Sequence, residues 1–238
     1  MELTAREAAK LLNISQEVLY QWIRDKGLPA HRVNEQYRFN HTQLLEWATA
    51  EGVRLSAQSF RMGHGSTQSH APVLTRALEL GGIIEDLPGQ QIRAVLKELV
   101  TRLPLPKDTD RTFLLRMLIA RERLGSTGLG EGIAIPHVRN PIVLRVSTPM
   151  VTLAFLRQPV DFHAVDGKPV STLFTLITPT VRMHLTLLSR LAFVLQDTSL
   201  RQALSQRERF DTILGHFSRV EDQLKTAASP SGGQKRQA

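Results

Sequence analysis

The sequence predicts two folded units: a small all-α, winged head and a larger α/β domain of the α+β kind, a layered mixed sheet with flanking helices. Three observations lead there. Two helix starts lie almost back to back within residues 4–25. Residues 56–72 are poor in large apolar side chains, and from Val73 onward helical and strand-like patterns alternate. The expected bounds are 1–52 for the head, 53–73 for a flexible linker, 74–222 for the larger domain and 223–238 for a disordered tail rich in Ser, Gly, Gln and Lys.

In the head, Thr4 and Glu7 have the spacing of a capping box. Leu3, Ala8, Leu11 and Leu12 supply the apolar face of the helix it opens. Ser15 caps a second helix carrying Val18, Leu19, Trp22 and Ile23, which Gly27 and Pro29 end. Two short helices about three residues apart make a helix-turn-helix. Residues 30–39 suit a hairpin or wing, and Asn40 or Thr42 can cap a third helix containing Leu44, Leu45 and Trp47. In the linker, His64 and His70 read as solvated loop residues.

In the larger domain a helix over 74–80 stops at Gly81-Gly82, a strand covers 83–87, and amphipathic helices cover 89–103 and 109–123. Strands are expected at 131–136, 148–156 and 170–178, then helices near 181–196, 199–206 and 208–222.

Composition narrows the chemistry. The 238 residues include no cysteine, which removes disulfide scaffolds, thiolate zinc sites, iron–sulfur clusters and thiol nucleophiles. No apolar run approaches about 18 residues, and the amino terminus lacks a secretory layout, so a cytoplasmic protein with no membrane insertion is expected. The net charge is 30 − 22 = +8. Residues 1–54 nonetheless carry seven basic and seven acidic side chains. Net charge therefore gives the head no claim on DNA; such a claim has to rest on local geometry.

The informative stretch is Arg121-Glu122-Arg123-Leu124-Gly125-Ser126-Thr127-Gly128-Leu129-Gly130-Glu131-Gly132-Ile133-Ala134-Ile135-Pro136-His137. Its glycines force tight turns or admit close approach. It lacks the Gly-Lys-Ser/Thr ending of a phosphate loop and GxGxxG spacing, and a strand, not a helix, follows it. Ser126 is not in a G-x-S-x-G elbow either. What remains is a short buried strand delivering His137 beside a loop rich in N–H and hydroxyl donors. That pairing suits an anion: a neutral imidazole is a competent nucleophile toward phosphorus, and a phosphoryl group needs several donors.

These residues, with Asp166-Gly167-Lys168-Pro169-Val170 and His184-Leu185 further on, resemble the signature of the type-2 IIA domains of the bacterial sugar phosphotransferase system, the fructose/mannitol and nitrogen-regulatory group. The likeness spans roughly residues 74–222. It implies that His137 receives a phosphoryl group from a phosphorylated histidine carrier such as HPr. It also implies that His184 and Arg121 complete the site, with Ser126, Thr127, Gly128 and Arg139 supporting the phosphate. No metal or cofactor is implied. From the residues alone His184 would read as a histidine on the polar side of an apolar helix. Val138 departs from the family, which has glycine after the histidine. A β-branched residue adopts positive φ poorly, so slowed transfer, or a binding module that has lost transfer chemistry, stands as an alternative.

The first 52 residues resemble a MerR/excisionase-type helix-turn-helix through Leu19-Tyr20-Gln21-Trp22-Ile23-Arg24, Leu28-Pro29-Ala30, Arg38-Phe39 and Leu44-Leu45-Glu46-Trp47. On that reading Val18, Leu19, Trp22 and Ile23 face the core. Gln16, Tyr20, Gln21 and Arg24 then face a major groove, with Arg32, Tyr37 and Arg38 on the wing near phosphates. A docking or dimerisation module is the alternative, and a homodimer or repeated sites would be needed for tight DNA binding. The combined expectation is a regulatory phosphoacceptor coupled to transcription. Its further partners are a IIB domain or a regulated enzyme or kinase, and its rival is a sugar-uptake IIA component.

Overall fold

The computed structural model describes residues 2–51, 53, 73–138 and 146–226. The expected linker between 54 and 72, Arg139, and the tail from 227 lie outside the described residues.

The head is α1 (Ala5–Leu12) and α2 (Gln16–Asp25), preceded by β1 (Glu2–Thr4) and followed by β2 (His31–Val33), β3 (Gln36–Asn40) and α3 (His41–Ala50). The capping box is formed, with the Thr4 and Glu7 side chains bonded to each other's backbone N–H groups, and Ser15 caps α2 through the Val18 N–H. Asn13, at φ 56°, makes the left-handed exit that separates the two helices. Asn34 and Glu35, both at positive φ, form the two-residue hairpin turn of the wing. Asn40 accepts from the Gln43 N–H, which selects Asn40 over Thr42 as the cap of α3. The wing is more than a hairpin, because β1 adds to β3 and gives the order β1-β3-β2. Leu11, Leu12, Leu19, Phe39, Leu44 and Leu45 fill the core. Val18, Trp22 and Ile23 are only half-buried, so of the expected core set on α2 Leu19 alone is enclosed.

The larger domain runs α4 (Val73–Gly81), β4 (Ile83–Leu87), α5 (Ile92–Arg102), α6 (Arg111–Arg123), β5 (Gly128–Gly130), β6 (Ile133–Ala134), β7 (Met150–Val160), β8 (Val170–Ile177), α7 (Val181–Val194), α8 (Thr198–Ser205) and α9 (Phe210–Thr226). The sheet order is β4-β7-β8-β6-β5, with β4/β7 and β6/β8 parallel and β7/β8 and β5/β6 antiparallel. Strand periodicity sends alternate side chains to opposite faces. Ala154, Leu156, Leu173 and Ala134 meet α5 and α6, whereas Leu153, Phe155, Phe174 and Ile133 meet α4, α7, α8 and α9. The result is a sheet with an apolar core on each face.

Three boundaries differ from expectation. The glycine stretch contains a strand of its own, β5, because pairing with β6 overrides the weak strand preference of glycine. β7 continues past Phe155 to Val160 through a register shift that accommodates Pro159. Finally, α9 continues through Gln223 to Thr226, residues expected in the tail, because Gln, Leu and Lys all propagate a helix well.

Candidate functional site

His137 follows β6 and makes a parallel bridge to Leu176 of β8, which prolongs the sheet by one residue. The alternation of Ile133, Ile135 and His137 places the imidazole on the sheet face that carries α7. Ala134 and Val138 point into the opposite core. Val138 is fully buried there and is absent from the positive-φ residues. The expected conflict at this position does not arise, because the backbone makes no left-handed turn and the branched side chain fills core volume.

The ring's orientation follows from its partners. Nδ1 lies 2.7 Å from the Ile135 carbonyl oxygen. A carbonyl only accepts, so Nδ1 carries the proton and Nε2 carries the lone pair. The Arg121 Nε–H donates to that Nε2 at 3.3 Å, and Arg121 Nη1 donates to the Gly125 carbonyl at 2.9 Å. Arg121 reaches the ring from the last turn of α6. His184 comes from the first turn of α7, whose buried stripe is His184, Leu187, Leu188 and Leu191. It therefore lies on the inward face of α7 and not on a polar side. The two imidazole centroids are 5.2 Å apart. His137 is 3% exposed, His184 0% and Arg121 8%.

The glycine loop is held by its own side chains. Ser126 donates to the Phe162 carbonyl and accepts from the Gly128 N–H. Thr127 donates both its N–H, at 2.9 Å, and its hydroxyl, at 2.6 Å, to the Glu122 carboxylate. Both hydroxyl protons, expected to face a phosphate, are thus given to protein oxygens, one on the Glu122 carboxylate of α6 and one on the Phe162 carbonyl. A Cβ on Gly128 would sit 2.7 Å from the Ala164 Cβ, which is why glycine stands there. Across the hairpin, Asp166 accepts from the Glu131 N–H at 2.7 Å and the Lys168 N–H at 3.1 Å. The Glu131 N–H bond, with help from the charge of Lys168, holds the Asp166 carboxyl below its ordinary range. Sequence reasoning missed Glu122 and Asp166 as loop-holding groups, and it missed the Ile135 carbonyl. The Asp166-Gly167 turn dipeptide was the available signal for one of them.

In the head Gln16, Tyr20, Gln21 and Arg24 are exposed along α2, and Arg32 is exposed on the wing. Tyr37 and Arg38 are half-buried. The Arg32 guanidinium lies 5.0 Å from the centre of the Tyr37 ring, and Tyr20 stacks obliquely on Tyr37 at 5.8 Å. The structure thus brings α2 and the wing together along one edge. No described helix is long and apolar enough to cross a membrane.

Over residues 78–220 the chain matches the family of the phosphoenolpyruvate-dependent sugar phosphotransferase system, EIIA 2, and over residues 2–52 it matches a helix-turn-helix domain. With the mixed sheet and its paired histidines, this match places the chain in the type-2 EIIA family, with a helix-turn-helix domain at its amino-terminal end. Its homologues within that family include nitrogen regulatory proteins. The one from Pseudomonas aeruginosa is 37% identical over 135 residues, 55% of this chain and 85% of that protein. The crystal structure of the nitrogen regulatory protein IIA-Ntr from Neisseria meningitidis superposes with a TM-score of 0.52 at 32% identity, covering 60% of this chain and 97% of that one. The fructose-specific EIIABC component of Bacillus subtilis is 31% identical over 59% of this chain and 22% of its own length.

Proposed function

We propose that the chain is a regulatory IIA protein that accepts a phosphoryl group on Nε2 of His137 from the phosphohistidine of an HPr-like carrier, and whose head binds DNA. The observation that carries this reading is the His137 tautomer: the Ile135 carbonyl holds the proton on Nδ1, and the lone pair at Nε2 faces Arg121. In the transfer the carrier's P–N bond breaks as the P–Nε2 bond forms, and the bonding pair returns to the carrier's ring. The Nδ1 proton stays on His137, so the phosphorylated ring is cationic and remains a good leaving group for onward transfer. As phosphorus arrives, the Arg121 Nε–H is released from Nε2 and turns to the phosphoryl oxygens, where charge accumulates. His184, one ring away, is the second donor to those oxygens. Ser126, Thr127 and Gly128 act by holding the loop that seats Arg121.

The homology to nitrogen regulatory proteins and the fused head favour regulation over sugar uptake. The similarity to a fructose-specific transporter component keeps passage to a IIB domain as the second reading. On the first reading, the phosphorylation state is read by DNA or by a regulated enzyme or kinase. Incubation with a phosphorylated HPr-type carrier should place acid-labile label on the wild-type chain and none on His137→Ala. Undiminished label on the variant would remove the assignment. Rapid loss of label to a purified sugar-specific IIB, with no change in DNA binding, would select the uptake reading.

A further inference from the structure

The head does not stand apart from the larger domain. α3 packs against α7 and β5, and Leu185 and Ala192 of α7 lie against the apolar core of the head. These are the elements that carry the site. α7 holds His184, the residue before Leu185, and β5 is the outer strand of the hairpin whose inner strand leads to His137. Leu185 and Ala192 are two turns apart on one stripe, beside the stripe that buries His184, Leu188 and Leu191. In the chain folded this way both site imidazoles are enclosed, at 3% and 0% exposure. A phosphorus atom borne by a carrier protein has to come within about 3–3.5 Å of Nε2, in line with the bond that breaks. Approach of a macromolecular donor to so enclosed a ring is therefore sensitive to what packs on the elements around it.

We propose that the outer face of α7 together with β5 is a docking surface for the chain's own helix-turn-helix head, and that the docked head slows access of the carrier's phosphohistidine to His137. This rests on the phosphoacceptor reading above and adds to it a direction of control. The coupling is reciprocal: whatever undocks the head speeds phosphorylation, and phosphorylation weakens docking. The second half has a physical cause, since the phosphoryl oxygens carry about two negative charges, only one of them balanced by the cationic ring, beneath an apolar contact built on Leu185 and Ala192. Gln16, Tyr20, Gln21 and Arg24 stay exposed in the docked arrangement, so docking leaves the α2 face open.

The absence of cysteine allows a direct test on the full chain. Spin labels are placed at Asp25→Cys and Ser205→Cys, both exposed positions. The unphosphorylated protein should give one narrow distance distribution, unchanged when labelled chains are diluted into excess unlabelled chain. Ala192→Arg should broaden that distribution and raise the initial rate of labelling by a phosphorylated carrier about 5- to 100-fold. Leu185→Ala, which only removes contact area, should move both readouts the same way by less. A broad distribution in the unsubstituted chain overturns the docking. Loss of the narrow distance on dilution shows that the head belongs to a second copy, and overturns the intramolecular form. Equal or slower labelling of chains with broadened distances overturns the control of access while leaving the phosphoacceptor reading intact. No labelling of any chain overturns both.

Discussion

At the scale of single residues, the site depends on one carbonyl and one guanidinium. The Ile135 carbonyl fixes which nitrogen of His137 carries the lone pair, and Arg121 uses a two-pronged grip, Nε to the ring and Nη1 to the Gly125 carbonyl. A lysine cannot reproduce that grip, because an ammonium is a point charge without a planar fork. Arg121→Lys should therefore lower the single-turnover rate of phosphoryl transfer about 100-fold, in the range of a lost transition-state donor. A rate within twofold of wild type would remove Arg121 from the transfer step. A second residue acts on stability. Glu221 is fully buried, pairs with Arg190, and accepts from the Leu74 and Thr75 N–H groups, so that a side chain of α9 caps α4. Glu221→Ala strands the half-enclosed Arg190 charge and uncaps a helix, and should cost about 3–5 kcal/mol in urea unfolding.

At the scale of elements, the hairpin of β5 and β6 is the part that aims His137. Gly128→Ala forces a Cβ against Ala164 and should cost about 1–3 kcal/mol by overpacking, read as a lowered thermal midpoint. Asp166 clamps the hairpin's turn, and the hydrogen bond from the Glu131 N–H holds its folded pKa below the ordinary carboxyl range. A depressed carboxyl stabilises the fold above its unfolded pKa and loses that contribution as pH falls through the folded value. Hydrogen exchange at the Glu131 amide should thus be slow at neutral pH, after correction for intrinsic rates, and lose its protection only in acid below the ordinary carboxyl range. In Asp166→Asn that protection should already be reduced at neutral pH. Much of this architecture was legible from the chain. Thr4, Glu7, Ser15 and the alternation after Val73 gave the head and the order of strands and helices, because caps and periodicity are local signals. The hairpin was not legible: its first strand is Gly-Leu-Gly, and only a partner strand remote from those residues' own preferences makes it extended. The destination of the Ser126 hydroxyl was hidden because Phe162 lies far along the chain, whereas Thr127 bonds Glu122 only five residues away.

At the scale of the whole molecule, a head without net positive charge is expected to engage DNA, on the proposed reading, through local geometry and not through a general basic field. Arg24→Ala on α2 should cost about 1–3 kcal/mol on a specific site. Arg32→Ala on the wing should weaken all sequences alike and reduce the salt slope by about one. Both are read by titrating labelled DNA at several salt concentrations. Equal losses on specific and random DNA for Arg24→Ala would make it a phosphate contact, and no binding of the unsubstituted chain to either DNA would make the head a docking module. The phosphoacceptor role, however, turns on the identity of a single nitrogen. Phosphorus–nitrogen correlated NMR on the full chain, phosphorylated by a carrier, reads it directly. The structure predicts one phosphoramidate resonance, on Nε2 of His137, with Nδ1 still protonated. Phosphate on Nδ1 of that ring, or on His184, would rule out Nε2 of His137 as the acceptor.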